Sequence, residues 1–478
     1  MKRFLTGLSA ACLLAACTQA PDAGHSAKKA VSASAETAST QVKKAAGSAQ
    51  VLGLIERAKT ARLGYNITES LTTEVGPRLA GTPQEAKARE WAVAKFKEIG
   101  LQNVRVENFT IPGWIRGEET AAIVSPNPQA LYITSLGGSV ATPASGVEAD
   151  IAYFPTFEAL ESAPMDGLEG KIVFISGRMK KAPDGAGYGP ANRKRRSGAT
   201  EAAKRGALAV VIRSVGTDSH RFPHTGQMRY AEDVKKIPIA ALSAPDADQL
   251  ERTLERGVTV RLKMTLTPKA VGKLPSGNVI GEIIGSERPD EIILIGGHLD
   301  SWDLGTGAVD DGAGIGISAG AAQLILESGL KPKRTIRVVA FGAEEVGLLG
   351  GYAYVKANRE ALAKHMLASE SDFGAGPIYE VLSGVKGEDG QAVVKEIADA
   401  LGLKVSARKT NGGPDIGPMF SQGVPAMRLQ QDGTDYFDLH HTPDDTFDKI
   451  DPDHMAQNVG GFAVMAWIAA NSDSDFRE

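Results

Sequence analysis

From Ser276 onward the chain alternates short apolar strands with helix-length segments, and this alternation constrains the fold more than any other feature. Ile292–Gly296 reads as a strand, Gly312–Glu327 as a small-residue helix, Thr335–Phe341 as a β-branched strand, and Met366–Ala368 and Pro425–Leu429 as shorter strands. Strands joined through helices run parallel, and a parallel sheet needs both faces covered. The spacing therefore predicts an α/β fold with a largely parallel sheet and helices on both faces. The chain closes on a helix that Asp451 caps and Pro452 opens, with Met455, Val459, Phe462, Ala466 and Ala469 along one stripe. Another helix is predicted from Pro83 to Ile99, where Ala88, Ala92 and Phe96 recur at helical spacing and Gly100 is the stop.

At 478 residues the chain is too long for one ordinary domain. The catalytic-type sheet takes 49–130 and 269–478, and 131–268 reads as a separate insert. Within the insert, Lys171–Ile175 is a strand, and a helix over Gly198–Lys204 leads to the strand Ala207–Arg213. Met179–Arg196 reads as a loop whose basic run, Arg193-Lys194-Arg195-Arg196, is solvated.

The first 48 residues differ from the rest. Lys2 and Arg3 precede an apolar run, Phe4–Ala16, that is too short to span a bilayer. It ends in Leu14-Ala15-Ala16-Cys17, which resembles a bacterial lipobox with Cys17 as the lipidated residue. Residues 1–17 are thus expected to be a lipoprotein signal, and 18–48, rich in Ala, Ser, Thr and Lys with no aromatic, a disordered tether. Thr18 and Gln19 favour a periplasmic protein anchored in the outer membrane, with secretion as the alternative and the lipid as the only membrane contact. Cys12 is the other cysteine, so the chain after Cys17 has neither a disulfide nor a sulfur ligand. Its 42% of hydrophobic residues suffice for a core without cross-links. The net charge of −4 argues against a nucleic-acid partner.

Ligands of parallel α/β sheets bind beyond the carboxyl ends of the strands, so the residues there carry most weight. The first strand runs into His298-Leu299-Asp300, where a histidine can offer one ring nitrogen to a metal while Asp300 holds the other. Asp310-Asp311-Gly312 follows at the mouth of a helix. Asp311 suits the N-cap, which leaves Asp310 free to bridge two cations. The next strand ends in Glu344-Glu345, adjacent carboxylates that repel unless a cation or proton compensates. In a metal site Glu345 would bind and Glu344 would take a proton from the attacking water. Glu370-Ser371-Asp372 ends the third strand, and His440-His441 lies in a late turn where either, or neither, is a ligand. Each feature alone has a bland explanation: a hydrogen-bonded histidine, a helix cap, an exposed acidic turn. Five at once point to a two-metal hydrolytic site, and nitrogen and carboxylate donors without sulfur suit zinc, with manganese or cobalt as substitutes.

The stretches GGHLDSWDLGTGAVDDGAG, FGAEEVGLLG, ESDFG and HHTPDDTFDKID resemble those of the M28 family of di-zinc peptidases. The resemblance runs from about Val51 to the C-terminus and takes in GPRLAG, GATEAAKRGALAVVIRSV, PHTG and KPKRTIRVV. HLDSWD is its most specific part. It implies a phosphorylase/hydrolase-like catalytic domain interrupted by a protease-associated insert, with two zinc ions per chain. His298 and Asp372 would hold one zinc, Glu345 and His441 the other, with Asp310 bridging and Glu344 as general base. His441 is preferred to His440 because it directly precedes Thr442. His440 would either donate to the developing oxyanion or support the ligands. A cis peptide is expected at Asp310-Asp311, and a homodimer is compatible with the family. The implied activity is exopeptidase cleavage of dipeptides or short peptides as a carboxypeptidase or dipeptidase. The alternatives are an aminopeptidase of the same family, a non-catalytic binding module on the same fold, and an aminoacyl cyclase with one zinc. The sequence departs from the family pattern at its N-terminus and in the Asn411–Asp415 loop.

Overall fold

The computed structural model describes residues 49–477, so the signal, the tether and Cys17 lie outside the described part. Arg288–His298, Arg334–Phe341 and His365–Glu370 run parallel; the long strand Lys269–Ile283 pairs antiparallel with Arg334–Phe341, and Gln102–Ile115, antiparallel to Lys269–Ile283 in turn, completes a five-stranded sheet. Its order is Gln102–Ile115, Lys269–Ile283, Arg334–Phe341, Arg288–His298, His365–Glu370. Ile292–Ile295 and Ile336–Phe341 are fully or almost fully buried, as expected for apolar runs in a sheet covered on both faces. A bridge between Ala368 and Ala426 links this sheet to three further strands, Lys404–Val405, Ile378–Ser383 and Met427–Gln431.

Register decides what meets at the carboxyl edge. His298 lies level with Phe341, and Gly296 with Glu370. The residues that follow the three parallel strands therefore emerge side by side.

The helix Ala313–Glu327 is buried almost all round, and its small residues explain how. A Cβ on Gly316 would sit 2.2 Å from Thr68 Oγ1 and 2.5 Å from the carbonyl of Gly64, so only glycine lets the helix Leu63–Glu74 lie against it. The closing helix spans Pro452–Asn471, and Asp451 accepts from the N–H groups of Asp453 and His454 at 2.8 and 2.9 Å.

A second sheet of eight strands uses residues between Glu119 and Leu266. It takes in Glu119–Ser125, ahead of position 131, because that strand pairs antiparallel with Arg261–Leu266. The basic run is not a solvated loop. Tyr188–Lys204 is one helix, with Lys194 and Arg195 only 2% and 5% exposed. Internal acceptors replace water there: the Lys194 ammonium donates to the carbonyls of Ser176 and Gly177, and Arg195 donates to the Tyr188 hydroxyl at 2.6 Å. Arg193, by contrast, faces outward and pairs with Glu158 and Glu161. Among the described residues no helix is long and apolar enough to cross a membrane.

Candidate metal centre

His298 ends its strand with a buried side chain. Its Nδ1–H donates to the backbone carbonyl of Asp300 at 2.9 Å, which leaves Nε2 facing Asp310 Oδ1 at 3.0 Å and Asp372 Oδ1 at 3.8 Å. The expectation that the Asp300 carboxylate would hold the ring needs correction, since it lies 3.7 Å from Nδ1. Instead it accepts from the backbone N–H groups of Glu344 and Glu345 at 3.0 and 3.3 Å. The tight turn after His298 brings the carbonyl, rather than the side chain, under the ring. Asp300 thus orients the acidic turn from a neighbouring strand end.

Asp310 presents its second oxygen to a different pair of groups. Oδ2 is 3.3 Å from His441 Nε2 and 3.7 Å from His440 Nε2. Glu345 Oε2 is 3.0 Å from the same His441 nitrogen. Donor atoms of His298, Asp310 and Glu345 lie within 4.8 Å of one another, as do those of Asp310, His440 and His441, and those of His298, Asp311 and Asp372. Asp311 is already committed: its carboxylate accepts from the N–H of Gly314 at 3.0 Å, capping the helix, and from the N–H of His298 at 2.9 Å. The Asp310-Asp311 peptide is cis.

Several residues that the sequence did not single out hold these groups. Asp445 accepts from the backbone of Val309 and Asp310 at 2.6 and 3.2 Å. Arg78, from the GPRLAG stretch, is fully buried and donates to the carbonyls of Leu299, Thr306 and Gly307, which staples the segment between His298 and Asp310. The second sheet supplies the loop that fixes His441. The carbonyl of Thr225 accepts from His441 Nδ1 at 3.2 Å, leaving Nε2 free, and the N–H of Thr225 donates to the His441 carbonyl at 3.0 Å. His224 sits between the His440 carbonyl at 2.7 Å and Asp218 at 2.6 Å. The PHTG and HHTPDD stretches contained these residues, but nothing in the sequence linked one stretch to the other.

The electrostatics point to a missing positive charge. Burial pushes Glu344 and Glu345 well above the ordinary carboxylate range, and neighbouring carboxylates add to it. Burial also raises Asp372. Asp310 resists the same burial only because hydrogen bonds from His298 and His441 pull it well below its usual value. Glu345 Oε1 and His440 Nδ1 are buried with no partner at all. Buried carboxylates crowded on two imidazoles, with an orphaned oxygen among them, are the donor set of a divalent-cation site. All the expected ligands and Glu344 border one region. Asp310, Glu344, Glu345, Asp372, His440 and His441 line a cavity of about 350 Å³, with His298 behind Asp310.

Comparison with known proteins agrees with this chemistry. The model of peptidase family M28 matches residues 278–465. Carboxypeptidase Q of Mus musculus is 35% identical over 425 residues, covering 88% of this chain and 89% of that protein. Aminopeptidase YwaD of Bacillus subtilis (strain 168) is 25% identical over 417 residues, 83% of this chain and 82% of that protein. Among solved structures, a peptidase M28 precursor from Shewanella amazonensis SB2B is 48% identical with a TM-score of 0.89, covering 90% of this chain and 98% of that one.

Proposed function

The chain belongs to peptidase family M28 and is a metallopeptidase, and from that premise we propose that it is a di-zinc exopeptidase of dipeptides or short peptides. The observation that carries this reading is the division of Asp310, one oxygen toward His298 and the other toward His441. When bound, two zinc ions, one held by His298 and Asp372, the other by Glu345 and His441, with Asp310 between, supply a polarised scissile carbonyl and an acidified water. Glu344 is the general base. It takes the proton of the attacking water and hands it to the departing amine. The Asp300 carboxylate holds the backbone of Glu344 so that its side chain faces the cavity. The non-catalytic alternative must explain why the whole set, base included, converges on one cavity.

The eight-stranded unit is read as a protease-associated insert, on the strength of its place between the two halves of the catalytic sheet. Cys17 is read as the lipid attachment that tethers the enzyme to the outer membrane, which intact-mass analysis of the membrane fraction tests. The function is tested by zinc content and dipeptide turnover on one preparation beside Glu344→Gln. Two zincs in both proteins and a loss of about 10²- to 10⁴-fold in kcat for the variant are expected. A variant with near-normal turnover would remove Glu344 from its role, and metal-free, inactive wild type would remove the reading.

A further inference from the structure

Part of the cavity wall beside the metal ligands is basic, with Arg195 Nη1 3.4 Å from His441 Nδ1, and most of that part belongs to the second sheet. Arg195, Arg196 and Arg229 line it together with Asn192. Asn192, Arg195 and Arg196 stand at i, i+3 and i+4 of the helix Tyr188–Lys204, so they share one face. Arg229 is tied alongside through its N–H, which donates to the Arg196 carbonyl at 3.2 Å. Two of these groups are buried with one polar atom each left unsatisfied, Arg195 engaging Tyr188 and His441 through its other nitrogens. Arg195 is 5% exposed with no partner on Nε, and Asn192 is 7% exposed with none on Oδ1. An unpaired guanidinium N–H and an unpaired amide oxygen in a cavity wall are costly unless a ligand supplies their partners.

The charge around the cavity shows what that ligand is. Its acidic lining residues are Asp310, Glu344, Glu345 and Asp372, and each already has a role as ligand or base. No carboxylate is left over to receive a substrate's free amine. Two divalent ions would cancel those four carboxylates and leave the arginines as the net charge facing the substrate.

We propose, resting on the peptidase reading above, that Arg195, Arg196 and Arg229 bind the free C-terminal carboxylate of the substrate. The enzyme is then a dipeptidase or carboxypeptidase rather than an aminopeptidase. Guanidinium groups pair with carboxylates through parallel N–H···O bonds, and Asn192 Oδ1 is placed to accept the neighbouring peptide N–H. The second sheet thereby reads the end of the peptide while the first sheet carries the chemistry.

The test uses neutral side chains, so that only the terminus varies: Ala-Phe against Ala-Phe-amide. Binding is measured by calorimetry on zinc-loaded Glu344→Gln, and turnover on the wild type. The free dipeptide should bind at least about tenfold tighter than the amide, and kcat/KM should favour it by about 10- to 100-fold. In Arg196→Gln and Arg229→Gln, both at exposed positions, each ratio should shrink several-fold while zinc content stays unchanged. Arg195→Lys should shrink it too, because a point charge replaces a fork. Equal or better binding and cleavage of the amide overturns the inference and leaves the peptidase reading standing. A preference that survives in all three variants but disappears in Arg428→Gln, a lining residue from the strand Met427–Gln431 that donates to the Asp372 carbonyl, overturns the assignment to the second sheet. A preference that follows an acidic side chain, with Ala-Glu-amide favoured over Ala-Phe, overturns the choice of the terminal carboxylate. Failure of the zinc-loaded wild type to cleave any of these overturns both readings.

Discussion

Replacing Arg78 by methionine should cost the fold about 4 kcal/mol. The guanidinium is fully buried and donates to four backbone carbonyls, at Gly76, Leu299, Thr306 and Gly307. Methionine fills much of the same space but donates nothing, so these carbonyls lose the guanidinium, Gly307 alone keeping another donor in the N–H of Gly312, at about 1–3 kcal/mol for each acceptor left without a partner. An offset runs the other way. Burial lowers the Arg78 pKa even though Asp445, Asp300, Asp311 and Asp310 all favour its charge, so the variant also escapes a desolvation cost. The net of about 4 kcal/mol would be a large share of the roughly 5–15 kcal/mol that holds a domain together. Urea denaturation of the chelator-treated proteins reads the loss directly. Because the stapled segment leads to Asp310, zinc affinity should fall as well, with circular dichroism unchanged. A stability loss under about 1 kcal/mol would refute the view that these bonds hold the segment.

His365 lies between the Ala361 carbonyl and the Tyr354 hydroxyl at 2.9 and 2.7 Å, and burial pushes its pKa from 6.5 down to about 4. Between those two values the unfolded chain binds more protons than the folded one, so stability is lost as the pH drops from 6.5 toward 4. The loss approaches about 3 kcal/mol below pH 4, and urea midpoints for His365→Gln should lack this slope; parallel curves would count against it. Gly316→Ala should cost about 1–3 kcal/mol as the helix Leu63–Glu74 is forced away, whereas Gly53→Ala, with nothing within 4 Å of the added carbon, should be neutral or slightly stabilising. Equal effects of the two would mean that the helix contact is not tight. Removing metal with a chelator should lower the melting temperature by at least about 5 °C, and zinc should restore it. No change on chelation would argue that the carboxylates are balanced by protons instead.

What the sequence disclosed follows the range of the interactions involved. His298, Glu344, Glu345 and Asp372 were legible because each ends a strand whose apolar pattern is local, and parallel register brings such ends together. The cap at Asp311 was legible for the same reason, a carboxylate immediately ahead of a helix. The hold on His298 was not: a carbonyl and a carboxylate of the same residue, Asp300, compete for the ring, and only the path of the turn decides. The basic run was misplaced because charge density is an average, while burial is decided side chain by side chain. Lys194 finds the carbonyls of Ser176 and Gly177, and Arg193 finds solvent and glutamates. The neighbours of His441 were the least accessible. Thr225 and Arg195 are 216 and 246 residues away along the chain, and no local pattern encodes such a meeting.

Thr225 stands on a loop between two strands of the second sheet, Ala209–Arg213 and Ile239–Leu242, and this limits how the protein can be rearranged. A chimera that borrows the eight-stranded part from a relative inherits a new peptide-end reader, but it also inherits whatever that part offers to His441. If the borrowed loop brings no carbonyl to the ring, the imidazole is left with a choice of tautomer and the hybrid is metal-poor as well as altered in taste. Taste and coordination are therefore inherited together. Shuffling between relatives should succeed when the crossover keeps the Thr225 loop with the His441 turn, and fail when it parts them.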